Sequence, residues 1–146
     1  MTSQHLLVIA NRTCPCPGLL EEIAERLAPG GRVLVVSPAL NGRLRHWLSD
    51  SDGAVAAAKE RLAATLGLLA ARGIDARGEV GDGNPLLALE DALAVFPADA
   101  VLLSTHPPGH SHWLERGLVV RAGERFTGPV VHLVSPYGLP QAAVAA

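Results

Sequence analysis

The sequence predicts an α/β fold: a three-layer open parallel sheet of five strands in the order 3-2-1-4-5, with helices on both faces. Three observations lead there. Short apolar runs alternate with longer segments whose apolar residues recur at helical spacing, the pattern that builds parallel sheets with right-handed crossovers. The runs LLVIA (6–10), VLVV (33–36) and AVLL (100–103) are continuously apolar, as in strands covered on both faces. The run IDARGEV (74–80) instead alternates small or apolar residues with Asp75, Arg77 and Glu79, which suits a sheet edge. With strands one and four at the centre, the chain reverses direction between them. Their carboxyl ends then open the crevice where such sheets bind ligands.

Each element has its own signals. The first strand ends at Asn11, and its exit loop carries Cys14 and Cys16. Pro17 suits a first helical turn, where its missing N–H costs nothing, and Leu19, Leu20, Ile23 and Leu27 line one helix face up to Pro29-Gly30-Gly31. After the second strand, a long connection from Ser37 to Ser51 holds the one local basic cluster, Arg43, Arg45 and His46, beside Trp47. Connections of that length in small domains are usually functional or mobile. Asp50, Ser51 and Asp52 are capping residues for a second helix, in which Val55, Leu62, Leu66 and Leu69 repeat up to Gly73.

Gly81-Asp82-Gly83 turns the third strand toward Asn84-Pro85, a cap followed by a first-turn proline. Leu86, Leu89 and Leu93 form the face of that third helix, and Pro97 ends it. The fourth strand runs into Ser104, Thr105 and His106, and Pro107-Pro108-Gly109 leads to a fourth helix expected to start at Ser111. Leu114, Leu118 and Phe126 lie on its apolar side, with Gly117 and Gly123 as weak points. Gly128-Pro129 opens the last strand, 130–134, where His132 alternates with Val131 and Leu133 and reads as structural. Residues 1–136 read as one domain, and the small, unpatterned stretch 137–146 as a flexible tail.

Composition narrows the function classes. At 146 residues, with 49% hydrophobic content and a mean hydropathy of +0.27, the chain supports one substantial core rather than two. A net charge of −2, with 18% charged residues, leaves no electrostatic footprint for a nucleic-acid or membrane-surface partner. The opening residues lack the pattern of a secretory leader and no apolar run reaches spanning length, so a cytoplasmic location is expected. Cys14 and Cys16 flank a single proline, a span that would strain a disulfide, and reduced thiols are expected.

The strand order sets the loop after strand one opposite the loop after strand four. The candidate ligand-binding residues are therefore Asn11, Ser37, Ser104, Thr105, His106, Gly109, His110 and Ser111, with Arg43 and Arg45 reaching over from the second loop. The backbone N–H groups of residues 109–112, near a helix start, suit a small anion or a single phosphate. Pro107 and Pro108 each remove an N–H that a triphosphate cradle would use.

From LLVIANRT through the GDGNP turn and DAVLLST to GPVVHLV, the sequence resembles the universal stress protein family, a branch of the adenine-nucleotide α-hydrolase-like folds. The ATP-binding members of that family carry an aspartate at the end of strand one and a G-x-x-G…G-[ST] pattern after strand four. Here Asn11 stands in the aspartate's place, the glycine pattern is missing, and Arg116-Gly117 replaces the final Gly-Ser. The resemblance implies a non-enzymatic cytosolic stress or signalling module, not a conventional ATP binder and without a cofactor. It also implies a homodimer formed through the last strand. Two alternatives stay open: a sensor of a nucleotide or small phosphate ligand in the crevice between strands one and four, and an ATP-using enzyme of the same superfamily. The enzyme would need an intact phosphate loop and a carboxylate for Mg²⁺ at the switch point.

The residue types suggest two further chemistries. His106, His110 and His112 with Cys14 and Cys16 offer imidazole and thiolate ligands, but neither C-x-C nor H-x-x-x-H-x-H is a structural zinc spacing, and no metal is expected. Cys14 activated by His106 would be a nucleophile, yet the sequence offers no third group to orient the histidine, and no catalytic residue is expected.

Overall fold

Strand β1 (Ser3–Ala10) lies at the centre of a five-stranded sheet whose other members are β2 (Leu27–Leu40), β3 (Asp75–Asp82), β4 (Ala100–Thr105) and β5 (Val130–Val134). The computed structural model describes residues 3–10, 17–40, 50–82, 84–105 and 117–134. The order is β3-β2-β1-β4-β5 and every neighbouring pair is parallel, as the sequence predicts. The helices described are α1 (Pro17–Arg26), α2 (Asp50–Ala71), α3 (Pro85–Val95) and α4 (Leu118–Arg125).

The reversal of chain direction between β3 and β4 sorts the helices, because right-handed crossovers on opposite sides of β1 must run over opposite faces. Successive residues of β1 point to alternate faces. Leu6, Val8 and Ala10 meet Leu19, Leu20 and Ile23 of α1 and Leu62 and Leu69 of α2. Leu7 and Ile9 meet Ala88, Leu89 and Ala92 of α3 and Leu118 and Ala122 of α4. Leu6, Leu7, Val8 and Ile9 have no solvent exposure. At about 2 kcal/mol for each fully buried aliphatic side chain, this one strand feeds both cores.

Strand β2 is longer than the apolar run 33–36 at both ends. Helix α1 stops at Arg26 and Leu27 already pairs with Ser3, after which the register shifts so that Arg32 pairs with His5. The extra β2 residues are absorbed around Gly30, whose φ of 78° belongs to the left-handed region. At the other end, Ser37, Pro38 and Leu40 pair with Val80, Gly81 and Asp82, so the loop expected from Ser37 to Ser51 gives up residues 37–40 to β2 and Asp50 and Ser51 to α2. Proline is tolerated here because the ladder with β1 has ended at Ile9–Val36, leaving β2 paired on one side.

The cap signal of α3 is realised, whereas Asp50, Ser51 and Asp52 lie within the first turn of α2. The Asn84 side chain accepts a hydrogen bond from Leu86 N–H at 3.0 Å with Pro85 in the first turn, and Asp82 Oδ1 accepts from Asn84 N–H at 2.8 Å. Helix α4 begins after Gly117, which has φ 65°. The start expected at Ser111 lies outside the described residues, as does the stretch 137–146. Asp99 ties the entry of β4 to β1, its carboxylate accepting from Gln4 N–H at 2.8 Å and His5 N–H at 3.1 Å.

Candidate functional site

The crevice at the switch point is floored by one transverse row of the sheet. Ala10 pairs with Ser104, Ser104 pairs with Leu133, and Ser37 lies one residue beyond the Ile9–Val36 pair, level with Ala10. Ser37 is in turn paired with Val80. Side-chain alternation turns this whole row toward the α1 and α2 side, since Val8, Val35 and Leu102, two residues earlier, belong to the core on that side. The two serines therefore flank the Ala10 methyl, with roughly 10 Å between their strands at about 4.8 Å per strand step.

Both hydroxyls are deeply placed, Ser37 at 4% and Ser104 at 1% of full exposure. Such a position is costly for a polar group unless it is hydrogen-bonded, and Ser104 does have a partner. Ala10 between them is itself buried, at 3% of full exposure, and adds only a methyl group to the row. No ionisable residue stands in the terminal described residues of β1, β2 or β4. Asp82, at this end of edge strand β3, is occupied in holding the turn to Asn84.

Of the residues expected to bind a ligand, the structure thus brings Ser37 and Ser104 into one row. Thr105 follows as the last residue of β4, in register with Val134. Asn11, Arg43, Arg45, His106, Gly109, His110 and Ser111 lie outside the described residues, as do Cys14, Cys16 and His112. Ala10 was missed by reading residue types for chemistry; its signal was being the only small residue at the end of an otherwise bulky strand. Among the described residues no group of three or more histidine, cysteine, aspartate or glutamate side chains is placed to hold a metal ion. No helix among them is long and apolar enough to cross a membrane.

His132 sits on β5 opposite Leu103, on the side of the sheet that α3 and α4 cover. Partial burial there holds its pKa below the ordinary value of 6.5, favouring the neutral imidazole. It lies on the other face from Ser37 and Ser104, which supports the structural role expected from the sequence.

No protein-family model matches the sequence, and no curated protein matches it. Among solved structures, the chain is similar to the universal stress protein from Archaeoglobus fulgidus, with a TM-score of 0.61 and 19% sequence identity. The match covers 90% of this chain and 94% of that chain. At that identity the likeness is one of fold, and it is the fold that the sequence resemblance implied.

Proposed function

We propose that this chain is a non-enzymatic stress or signalling module of the universal stress protein type. It works in the cytoplasm as a homodimer and does not bind ATP in the conventional way. The observation that carries the reading is the crevice floor: two hydroxyls around a methyl group at the carboxyl ends of β2, β1 and β4. Such groups hold a ligand by hydrogen bonds and contact, and are poor proton-transfer groups at neutral pH. Asn11 in place of an acidic residue, and the two prolines after His106, support the same reading from the sequence. For the dimer, the support is that β5 ends the sheet order with Val131, His132 and Leu133 only half-buried. Such an edge is a ready template for strand pairing.

The hydroxyl pair also favours a second reading, a sensor of a single-phosphate ligand, since serine hydroxyls and helix-start N–H groups suit a small anion better than a triphosphate. Titration with ATP, AMP and inorganic phosphate, followed by calorimetry and by the fluorescence of Trp47 and Trp113, separates the readings. The first expects no ATP turnover with Mg²⁺ and no micromolar ATP affinity; turnover, or ATP affinity in the micromolar range, would overturn it. Saturable AMP or phosphate binding that Ser104→Val abolishes establishes the second. Light scattering tests the dimer, and a monomer at micromolar concentration removes it.

A further inference from the structure

Helix α3 crosses its face of the sheet diagonally, and the corner it leaves open is chemically furnished. Near its amino end, Ala88 packs so closely on Gly81 of β3 that a methyl group at Gly81 would come within 3.1 Å of the Ala88 Cβ. Beyond its carboxyl end, Phe96 lies over β1, its ring meeting that of His5 edge to face at a centroid distance of 5.7 Å. The amino-terminal parts of β2 and β3 are therefore uncovered on this side. A groove of about 400 Å³ occupies the gap, a size within the range of small-molecule sites.

Its polar wall comes from one sheet row and one residue beyond. His5, Arg32 and Asp75 are in register on β1, β2 and β3, and Arg77 follows two residues along β3 on the same side. Arg32 Nε and Asp75 Oδ2 form a loose pair at 3.6 Å, with both side chains largely exposed. Of the groups charged throughout the neutral range, the lining holds two guanidinium groups against one carboxylate, an excess of one positive charge. The opposite wall is apolar and comes from Val95, Phe96 and Pro97. Val95 is 74% exposed, so a ligand seated there would remove an isolated valine from water.

We infer that this groove is a ligand site for a monoanionic carboxylate with a compact apolar body. A planar carboxylate matches the guanidinium fork, its single charge matches the lining's excess, and its apolar body matches the wall at the end of α3. The site lies at the opposite end of the sheet from Ser37 and Ser104 and on its other face, so neither proposal depends on the other.

Benzoate is the probe, with benzyl alcohol, benzylammonium and inorganic phosphate as comparators, read by NMR shifts of the His5 and Phe96 rings. The expected result is a saturable benzoate shift, with no saturation by the three comparators at the same concentrations. Arg77→Gln and Arg32→Gln should each weaken benzoate binding by about fivefold or more, and Val95→Asp should abolish it. Arg121→Gln, on the exposed side of α4, should leave it unchanged. The far-UV circular dichroism of every variant should match the parent, because each altered side chain is exposed. No saturable benzoate shift overturns the proposal. So does binding that is unaffected by both arginine changes, or binding matched by benzyl alcohol or phosphate.

Discussion

Gly31→Ala should destabilise the protein, and the structure fixes both the sign and the scale. Gly31 is buried in β2 where the register with β1 shifts, and its φ is not in the left-handed region, so conformation alone does not demand glycine. Space does. A methyl group there would come within 2.9 Å of the carbonyl oxygens of Ala28 and Gln4 and 2.8 Å of Leu27 Cδ1. The leucine can rotate away, but the two carbonyls are backbone, Gln4 on β1 and Ala28 in β2 itself, and they yield only by shifting β1 from β2 and distorting the β2 turn before Gly31. Overpacking of this kind costs about 2–3 kcal/mol, offset by about 0.5–1 kcal/mol from the reduced freedom of the unfolded chain. The net loss of about 1–2.5 kcal/mol lowers Tm by about 2–10 °C in a domain of this size. Thermal unfolding followed by circular dichroism measures it. A Tm equal to or above that of the parent would refute the steric account.

Gly67→Ala should act in the opposite direction, because Gly67 is an exposed interior residue of α2 whose added methyl meets nothing within 4 Å. A gain of about 0.5–1 kcal/mol is expected in urea unfolding. Asn84→Ala should cost about 1 kcal/mol by removing the cap on α3, with Asn84→Asp largely restoring it in the same assay. His132, with its pKa lowered by burial, contributes stability that is complete above 6.5 and is lost as pH falls toward its folded-state value, because the unfolded chain takes up that proton first. The stability difference between the parent and His132→Gln should therefore shift against the parent on acidification. A difference that is flat from pH 8 to about 5, or that shifts the other way, would exclude burial as the cause.

The topology was legible because three continuously apolar strands and one alternating strand constrain the order of a five-stranded sheet strongly. The end of β2 was not. Ser37-Pro38 reads as a strand end when neighbours are unknown, yet pairing with Val80 and Gly81 on one side carries β2 on to Leu40. The end of α1 falls two residues earlier than the helical period predicts, for a related reason: Leu27 continues the apolar repeat up to Pro29, but its pairing with Ser3 draws Leu27 and Ala28 into the sheet. At the crevice, Ser37 and Ser104 could be placed from strand order, whereas Ala10 carries no chemistry of its own and gains its role only from the two serines beside it.

The alternating charges of β3 show how a correct inference from sequence can still leave half the cause unseen. Asp75, Arg77 and Glu79 do mark an edge strand, and β3 is one. But the edge explains only why β3 lacks a neighbour, not why this face of it stays wet, since a helix runs over the same side of the sheet. The wet face follows from Gly81 and Phe96 together. Close approach at Gly81 pins the start of α3 to the carboxyl end of β3, while Phe96 draws the end of the helix to His5 on the central strand. A helix held at those two points cannot cover the amino half of β3, so charged residues there are required by the helix path as much as by the edge. It follows that widening the contact at Gly81 would shift α3 and reshape the groove around Arg32 and Arg77 without touching either arginine.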